Sequence, residues 1–388
     1  MAIPALFWLV FASISFERQQ IDSSVSIGYG VSVADVDGDG RDDIVLADKD
    51  AIAWYRNPSW EKHVIARKLT PLDHVCVDAR DIDGDGKAEI AAGAGWNPGD
   101  TERSGSVHAF VAPADRRQPW DPVALPHEPT VHRMRWIRSA GAQEFALLVA
   151  PLHGRGNVHS AGAGVKIQLY HPPPGIRGAW RISIIDGALH ATHNVDPVAW
   201  DDDPEDEVLV AAREGLFLLD RGVTRYGEVR WSRKEIVTGP EFPGASEVRL
   251  GRGLGGRRFI VWIEPFHGNR LMCATAVLTD GAWRFTLVAD DLAEGHALAC
   301  GDLMGRGHDQ IVVGWRAPNA EGSTGLRLYD PRWDGGFDLH VIDDGGIACE
   351  DVRLADLDGD GRLDIVASGR ATKNLVFYRN VSSTGAAK

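Results

Sequence analysis

A chain of 388 residues with 44% hydrophobic and 25% charged side chains has the composition of a folded, water-soluble protein. Its formal net charge of −14 argues against a nucleic-acid partner, and no stretch of about 20 apolar residues is present to span a membrane. The four cysteines, Cys76, Cys273, Cys300 and Cys349, lack CxxC spacing, which argues against a zinc knuckle or a dithiol redox centre and predicts buried free thiols.

In chain order, Ala5 to Ala12 form an apolar run of signal-peptide length, though basic residues before it are missing. Residues 1–15 are therefore read as a signal peptide or an N-terminal extension. An extracellular or periplasmic location follows if they are cleaved, and a cytoplasmic one otherwise. The remainder is read as a single unit over 16–380 with a short tail at 381–388.

The loudest motif comes next. Asp35, Asp37 and Asp39 alternate with Val36, Gly38 and Gly40, then Arg41 and Asp43 lead into an apolar strand. The pattern returns as Asp81, Asp83, Asp85, Lys87 and Glu89, and again as Asp356, Asp358, Asp360, Arg362 and Asp364. Alternate carboxylates, a main-chain carbonyl at the seventh position (Arg41, Lys87, Arg362) and an acid at the ninth make an oxygen cage suited to structural Ca²⁺. No helical pattern flanks the loops and no Glu stands at the twelfth position, so these are strand–loop–strand hairpins rather than EF-hands. Units at 200–207 and 302–309 are degenerate: the first lacks glycines, and Met304 and Arg306 replace carboxylates in the second.

A second feature repeats with a period of about 50–60 residues, which signals a propeller or solenoid. Aromatic-led alternating segments fall at 60–65, 120–125, 180–185, 231–236, 283–288 and 337–342. Apolar strands precede them at 51–55, 107–111, 165–170, 216–220, 273–278 and 326–329, with a seventh at 375–378. Four-stranded units repeated in this way predict an all-β, seven-bladed β-propeller. The last unit lacks its outer strand, and Phe16 to Asp22 is the segment that would complete it and close the ring.

These residues resemble the FG-GAP/VCBS repeat of integrin α-subunit heads and many bacterial propellers. That repeat implies the fold and the calcium loops, but it hosts adhesion modules, lectins and lyases alike. The histidine-rich loops more narrowly resemble the propeller of aldos-2-ulose dehydratase-like sugar lyases, which would imply a carbohydrate substrate.

If the calcium loops mark the bottom face, residues before the first strand and after the second strand of each unit share the opposite face. Those positions hold Tyr29, His74, His132, His190, His193 and His296, and then Lys49, Trp96, His153, Arg155, Arg213, Glu264, His267, Trp315, Arg316 and Arg370. Candidate catalytic residues are His132, His153, His193, His74, His296 and Arg316, with the trio of His132, His153 and His193 able to hold Zn²⁺ or another divalent metal or to supply a base. Candidate substrate-binding residues are Tyr29, Lys49, Trp96, Arg213, His267, Trp315 and Arg370. The chemistry these groups suit is β-elimination from a keto-sugar or uronate-containing glycoside: a base, a cation for the enolate and an acid for the leaving oxygen. The alternative is a calcium-stabilised propeller that binds glycan or protein without turnover. Convergence of the histidines on one point would favour the enzyme.

Overall fold

The computed structural model describes residues 14–141, 144–159, 161–277 and 282–382. The apolar run at 5–12 lies outside them, as do residue 278 and the tail from 383. Seven four-stranded antiparallel sheets form a ring, and the described residues contain one short 3₁₀ turn, Leu254–Gly256, and no α-helix. The seven-bladed propeller expected from the repeats is the fold.

Each blade meanders outward from the channel. Blade 1 is built from Gly30–Ala34, Asp43–Asp48, Ala51–Arg56 and Glu61–Arg67. The innermost strands of blades 2 to 7 are Asp73–Arg80, Val131–Arg138, Thr192–Val198, Val248–Arg252, Gly295–Gly301 and Cys349–Ala355. Second strands such as Asp43–Asp48 and Gln310–Trp315 are buried at every position, because both faces pack on neighbouring blades. Their Val, Ile and Leu runs fill an apolar seam between each pair of blades, for example Val45, Ile52, Trp54, Val77 and Ile90 between blades 1 and 2. Outer strands alternate, as in Phe337–Asp344, because one face meets water.

The ring closes as expected. Phe16–Asp22 pairs antiparallel with Asn374–Asn380, with Phe16 opposite Asn380 and Gln19 opposite Phe377. Arg18 Nε bonds Asp343 at 3.0 Å, and Asp22 receives Tyr55 Oη at 2.6 Å and Lys62 Nζ at 2.7 Å, so the strand is also fastened to blades 6 and 1. The four cysteines are free; Cys76, Cys273 and Cys349 are buried, and burial pushes the thiols of Cys76 and Cys273 up to about 12.

One consequence concerns acid stability. His108, on the third strand of blade 2 (Ser106–Val111), is buried, with Nε2 on Ser106 Oγ at 3.1 Å and Nδ1 unpartnered. Burial first, then His74 and His127, depress its pKa to about 4. The unfolded chain therefore binds the proton first, so stability is full above the ordinary histidine value near 6.5 and falls as pH drops towards 4. The loss is on the order of 2–3 kcal/mol. Urea midpoints at pH 7 and pH 5 should show it, and His108→Gln should flatten that dependence.

Candidate functional site

The innermost strands place the site. In blades 3, 4, 6 and 7 the pairing register shifts once near the start of the strand: between Val131 and Arg133, Thr192 and Asn194, Gly295 and Ala297, and Cys349 and Asp351. The residue inside each shift is His132, His193, His296 or Glu350. A β-bulge leaves its extra residue unpaired and re-aims its side chain, and here four bulges at equivalent heights turn three imidazoles and a carboxylate to one end of the channel.

His267 completes the cluster from the loop after the second strand of blade 5, Arg258–Glu264. One ring nitrogen from each of His193, His267 and His296 falls within 4.8 Å of the others. The rings of His193 and His267 are 4.5 Å apart between centroids, those of His267 and His296 5.0 Å, and those of His132 and His193 4.6 Å.

Tautomers follow from the partners. His193 Nδ1 faces the Ser246 carbonyl at 2.8 Å and His296 Nδ1 faces the Glu350 carbonyl at 2.6 Å. A carbonyl only accepts, so each Nδ1 carries the proton and each Nε2 presents a lone pair. His193 Nε2 and His267 Nε2 lie 2.6 Å apart, so a proton on His267 or a shared cation must sit between them. Burial lowers the pKa of all three, that of His267 to about 2, and the neighbouring imidazoles and Arg316 add to it. Three converging imidazoles, two of them (His193 and His296) oriented by backbone carbonyls, suit a transition metal better than Ca²⁺ or Mg²⁺.

Two buried carboxylates stand behind the rings. Glu247 lies 3.5 Å from His193 Nδ1 and takes Arg133 at 3.3 Å and Asn194 at 2.5 Å. Burial pushes its carboxyl up, but the His193, Arg133 and Arg249 donors outweigh this and hold it at about 2. Glu350 receives Arg316 at 3.0 Å and Arg370 at 3.0 Å, with His296 Nε2 at 4.0 Å.

The remaining candidates distribute as follows. His132 belongs to the ring cluster but donates Nδ1–H to the His193 carbonyl at 3.0 Å and accepts Arg133 on Nε2 at 3.1 Å, so it positions its neighbours and has no lone pair to give. Trp96 stacks on it at 4.8 Å. Arg316 is clamped between Glu294 at 2.9 Å and Glu350. Arg370 lies over the Tyr29 ring at 5.4 Å, and Tyr29 donates to Asp73 at 2.9 Å.

His74 and His153 do not join the cluster. In blade 2 Val75, not His74, occupies the register shift, and the His74 ring is held between the Asp48 carbonyl at 3.1 Å and the Leu69 N–H at 3.3 Å. His153 sits near the rim, its main chain bonded to Thr130 and its Nδ1 buried without a partner. The trio the structure assembles is thus His193, His267 and His296, not the expected His132, His153 and His193. Trp315 is 2% exposed in the seam between blades 5 and 6, with Nε1 on the Ser323 carbonyl at 2.8 Å, and it shows no face to a ligand. Lys49 and Arg213 are exposed on loops after second strands.

Glu247, Glu350 and Arg133 escaped the sequence reading. Glu350 was recoverable, since it stands at the same bulge as His132, His193 and His296. Glu247 had no local signal.

At the bottom face, carboxylate oxygens of Asp35, Asp37 and Asp39 converge within 4.8 Å, as do those of Asp81, Asp83 and Asp85, and of Asp356, Asp358 and Asp360. The turns need left-handed backbone that glycine supplies, at Gly38 and Gly40 (φ 81° and 85°) and their counterparts. The ninth-position acids accept backbone amides: Asp43 takes those of Val36 and Asn57 at 2.9 and 2.8 Å, and Asp364 those of Leu357 and Asn380 at 3.0 and 2.7 Å. They brace the loop ends, and Glu89 takes the Ile82 amide in the same way at 3.2 Å. Blade 4, degenerate in sequence, still brings Asp201, Glu207 and Asp220 together, because Asp220 arrives from the third strand.

The fold and the repeated acidic hairpins define a seven-bladed β-propeller. Residues 21–92, spanning blade 1 and the start of blade 2, match the family model of the FG-GAP-like repeat. The match covers one repeat's worth of a chain whose whole fold is a seven-bladed propeller; no comparison supports the narrower sugar-lyase resemblance. A search of curated proteins returns no significant match. Among solved structures, a chain of the mitotic checkpoint complex aligns over 99% of this chain and 100% of its own length, at 11% identity and a TM-score of 0.56. A chain from the crystal structure of BBS1N in complex with ARL6DN aligns over 94% and 95%, at 14% identity and a TM-score of 0.55. At these identities the likeness is one of fold alone.

Proposed function

We propose that the upper channel mouth is the site of a metal-assisted carbon–oxygen lyase acting on a keto-sugar or uronate-containing glycoside. The observation that carries this reading is the convergence of His193, His267 and His296, with the His193 and His296 rings oriented by backbone carbonyls. Three protein ligands leave a coordination position for substrate, and a bound divalent cation would stabilise an enolate oxygen. The chain's own groups supply the rest. Glu247 and Glu350 hold the ligand rings in their tautomers. Arg370, half-turned to the mouth beside Tyr29, and exposed Lys49 provide positive charge for a substrate carboxylate. Trp96 gives the mouth an aromatic wall. In the elimination, His153, the rim imidazole not spent on the cluster, would take the proton next to the carbonyl, the C–H electron pair becomes the double bond, the C–O pair leaves with the oxygen, and that oxygen takes up the proton His153 has gained.

The test uses purified full-length protein with Zn²⁺, Mn²⁺, Fe²⁺ or no metal, incubated with uronate-containing polysaccharides and keto-sugars. Metal-dependent appearance of an unsaturated, ultraviolet-absorbing product supports the lyase. Saturable glycan binding without product would instead favour the non-catalytic propeller.

We further propose structural Ca²⁺ at the loops of blades 1, 2 and 7. Ca²⁺ at a hundredfold excess over its dissociation constant should add about 2.7 kcal/mol per site and raise Tm, with EGTA reversing it. Asp37→Asn should reduce the increment and Asp203→Asn, in blade 4, should not.

A further inference from the structure

The opposite end of the channel holds a second constellation. One residue from each innermost strand lies at a common height, set by its partner on the second strand: Ser32, Asp78, Arg135, Asp196, Arg249, Ala299 and Arg353. This belt lines a cavity of about 890 Å³ that opens between the calcium loops. Three arginines face two aspartates, and the belt has a gap where blades 6 and 1 contribute only Ala299 and Ser32.

The charges on the belt are unevenly satisfied. Asp78 spends one oxygen on Ser32 Oγ at 3.0 Å and the other on the Trp136 amide at 2.6 Å. Arg249 is well partnered, by Asn194, the Val248 carbonyl, Glu247 and Asp196. Arg353 bonds Asp351 and the Val352 carbonyl through Nη1 alone, and its Nη2 is buried with no partner. Arg135 has a single hydrogen bond, Nη1 to the Met134 carbonyl at 2.7 Å, and no ion pair among the described residues. Burial first, then the neighbouring Arg353 charge, pull Arg135 down to about 10. A guanidinium has five donors in a planar fork, so both arginines, which line the cavity, keep N–H groups that no protein acceptor satisfies.

Two under-partnered guanidinium groups lining one cavity are complementary to an oxyanion, which can accept charge-assisted bonds from both and relieve their repulsion. We propose that the lower channel binds one small oxyanion, a sulfate, phosphate or carboxylate group, between Arg135 and Arg353. The site is separate from the histidine cluster and does not rest on the lyase reading. Asp35 and Asp81 at the mouth belong to the metal loops, whose charge Ca²⁺ offsets, so the site is expected to be strongest in the calcium-loaded protein.

The experiment is equilibrium dialysis of radiolabelled sulfate and, separately, phosphate against the full chain, with Ca²⁺ present and ionic strength held constant by chloride. One equivalent should bind, and Arg135→Gln and Arg353→Gln should each weaken it at least tenfold. Arg155→Gln, on the opposite rim, should leave it unchanged. If Arg135→Gln does not fold, Arg135→Lys should keep measurable but weaker binding. Displacement of the label by acetate would extend the site to carboxylates and support it. Absence of saturable binding, or binding in both glutamine variants as tight as in the unsubstituted protein, overturns it.

Discussion

His193→Ala is expected to abolish stoichiometric Zn²⁺ or Co²⁺ binding at the upper channel mouth while leaving the propeller folded. His193 touches every other member of the cluster: His132 across its own carbonyl, His267 through Nε2 at 2.6 Å, and His296 at 5.4 Å between ring centroids. Removing it leaves two imidazoles, too few to compete with water and buffer for a divalent ion. The effect on any metal-dependent turnover should be complete within detection. Glu247→Gln is the graded companion, because it keeps the ligand and weakens only its orientation; a loss of about 10–100-fold in metal affinity is expected. Isothermal titration with Zn²⁺ and the visible spectrum of the Co²⁺ form read both. Full metal binding by His193→Ala would remove the metal site from the argument.

Deleting residues 16–22 is expected to have the largest effect on stability. The strand covers the edge of Asn374–Asn380, which otherwise offers unpaired N–H and C=O groups to other chains. It also carries Arg18 to Asp343, and Asp22 to Tyr55 and Lys62, so its loss loosens blades 6 and 1 as well as blade 7. The truncated chain should either fail to accumulate as a monomer or melt at least about 10 °C lower, consistent with a loss of several kcal/mol in a protein of this size. Size-exclusion chromatography and calorimetry distinguish these outcomes. Asp22→Ala, which removes the bonds to Tyr55 and Lys62 of blade 1 and the local ones from Ser24 but keeps the strand, should cost about 1–3 kcal/mol. A truncated chain that melts with the full-length protein would show that closure does not hold the ring.

Much of the architecture was legible because it is periodic. An acidic loop with its glycines at fixed offsets, an apolar strand and an aromatic-led outer strand recur often enough to count blades and to assign Phe16–Asp22 as the missing one. Local sequence also says which face each loop serves. It does not say where a side chain points. His74 and His132 occupy similar places in the repeat, yet a one-residue difference in the bulge sends one ring between blades and the other into the channel. Trp315 reads like Trp96, a tryptophan ending a second strand, but its indole is swallowed by the seam between blades 5 and 6.

The sequence by itself determined the repeat, the ring, its closure and the acidic hairpins, since each depends on spacing within one blade or on a pattern repeated along the chain. Tertiary structure alone decided that His193, His267 and His296 converge, that Glu247 and Glu350 stand behind them, and that Arg135 and Arg353 line one cavity in the lower channel. Those groups come from blades 3, 4, 5, 6 and 7, and only the closed ring and its bulges convert positions far apart in sequence into neighbours a few ångströms apart.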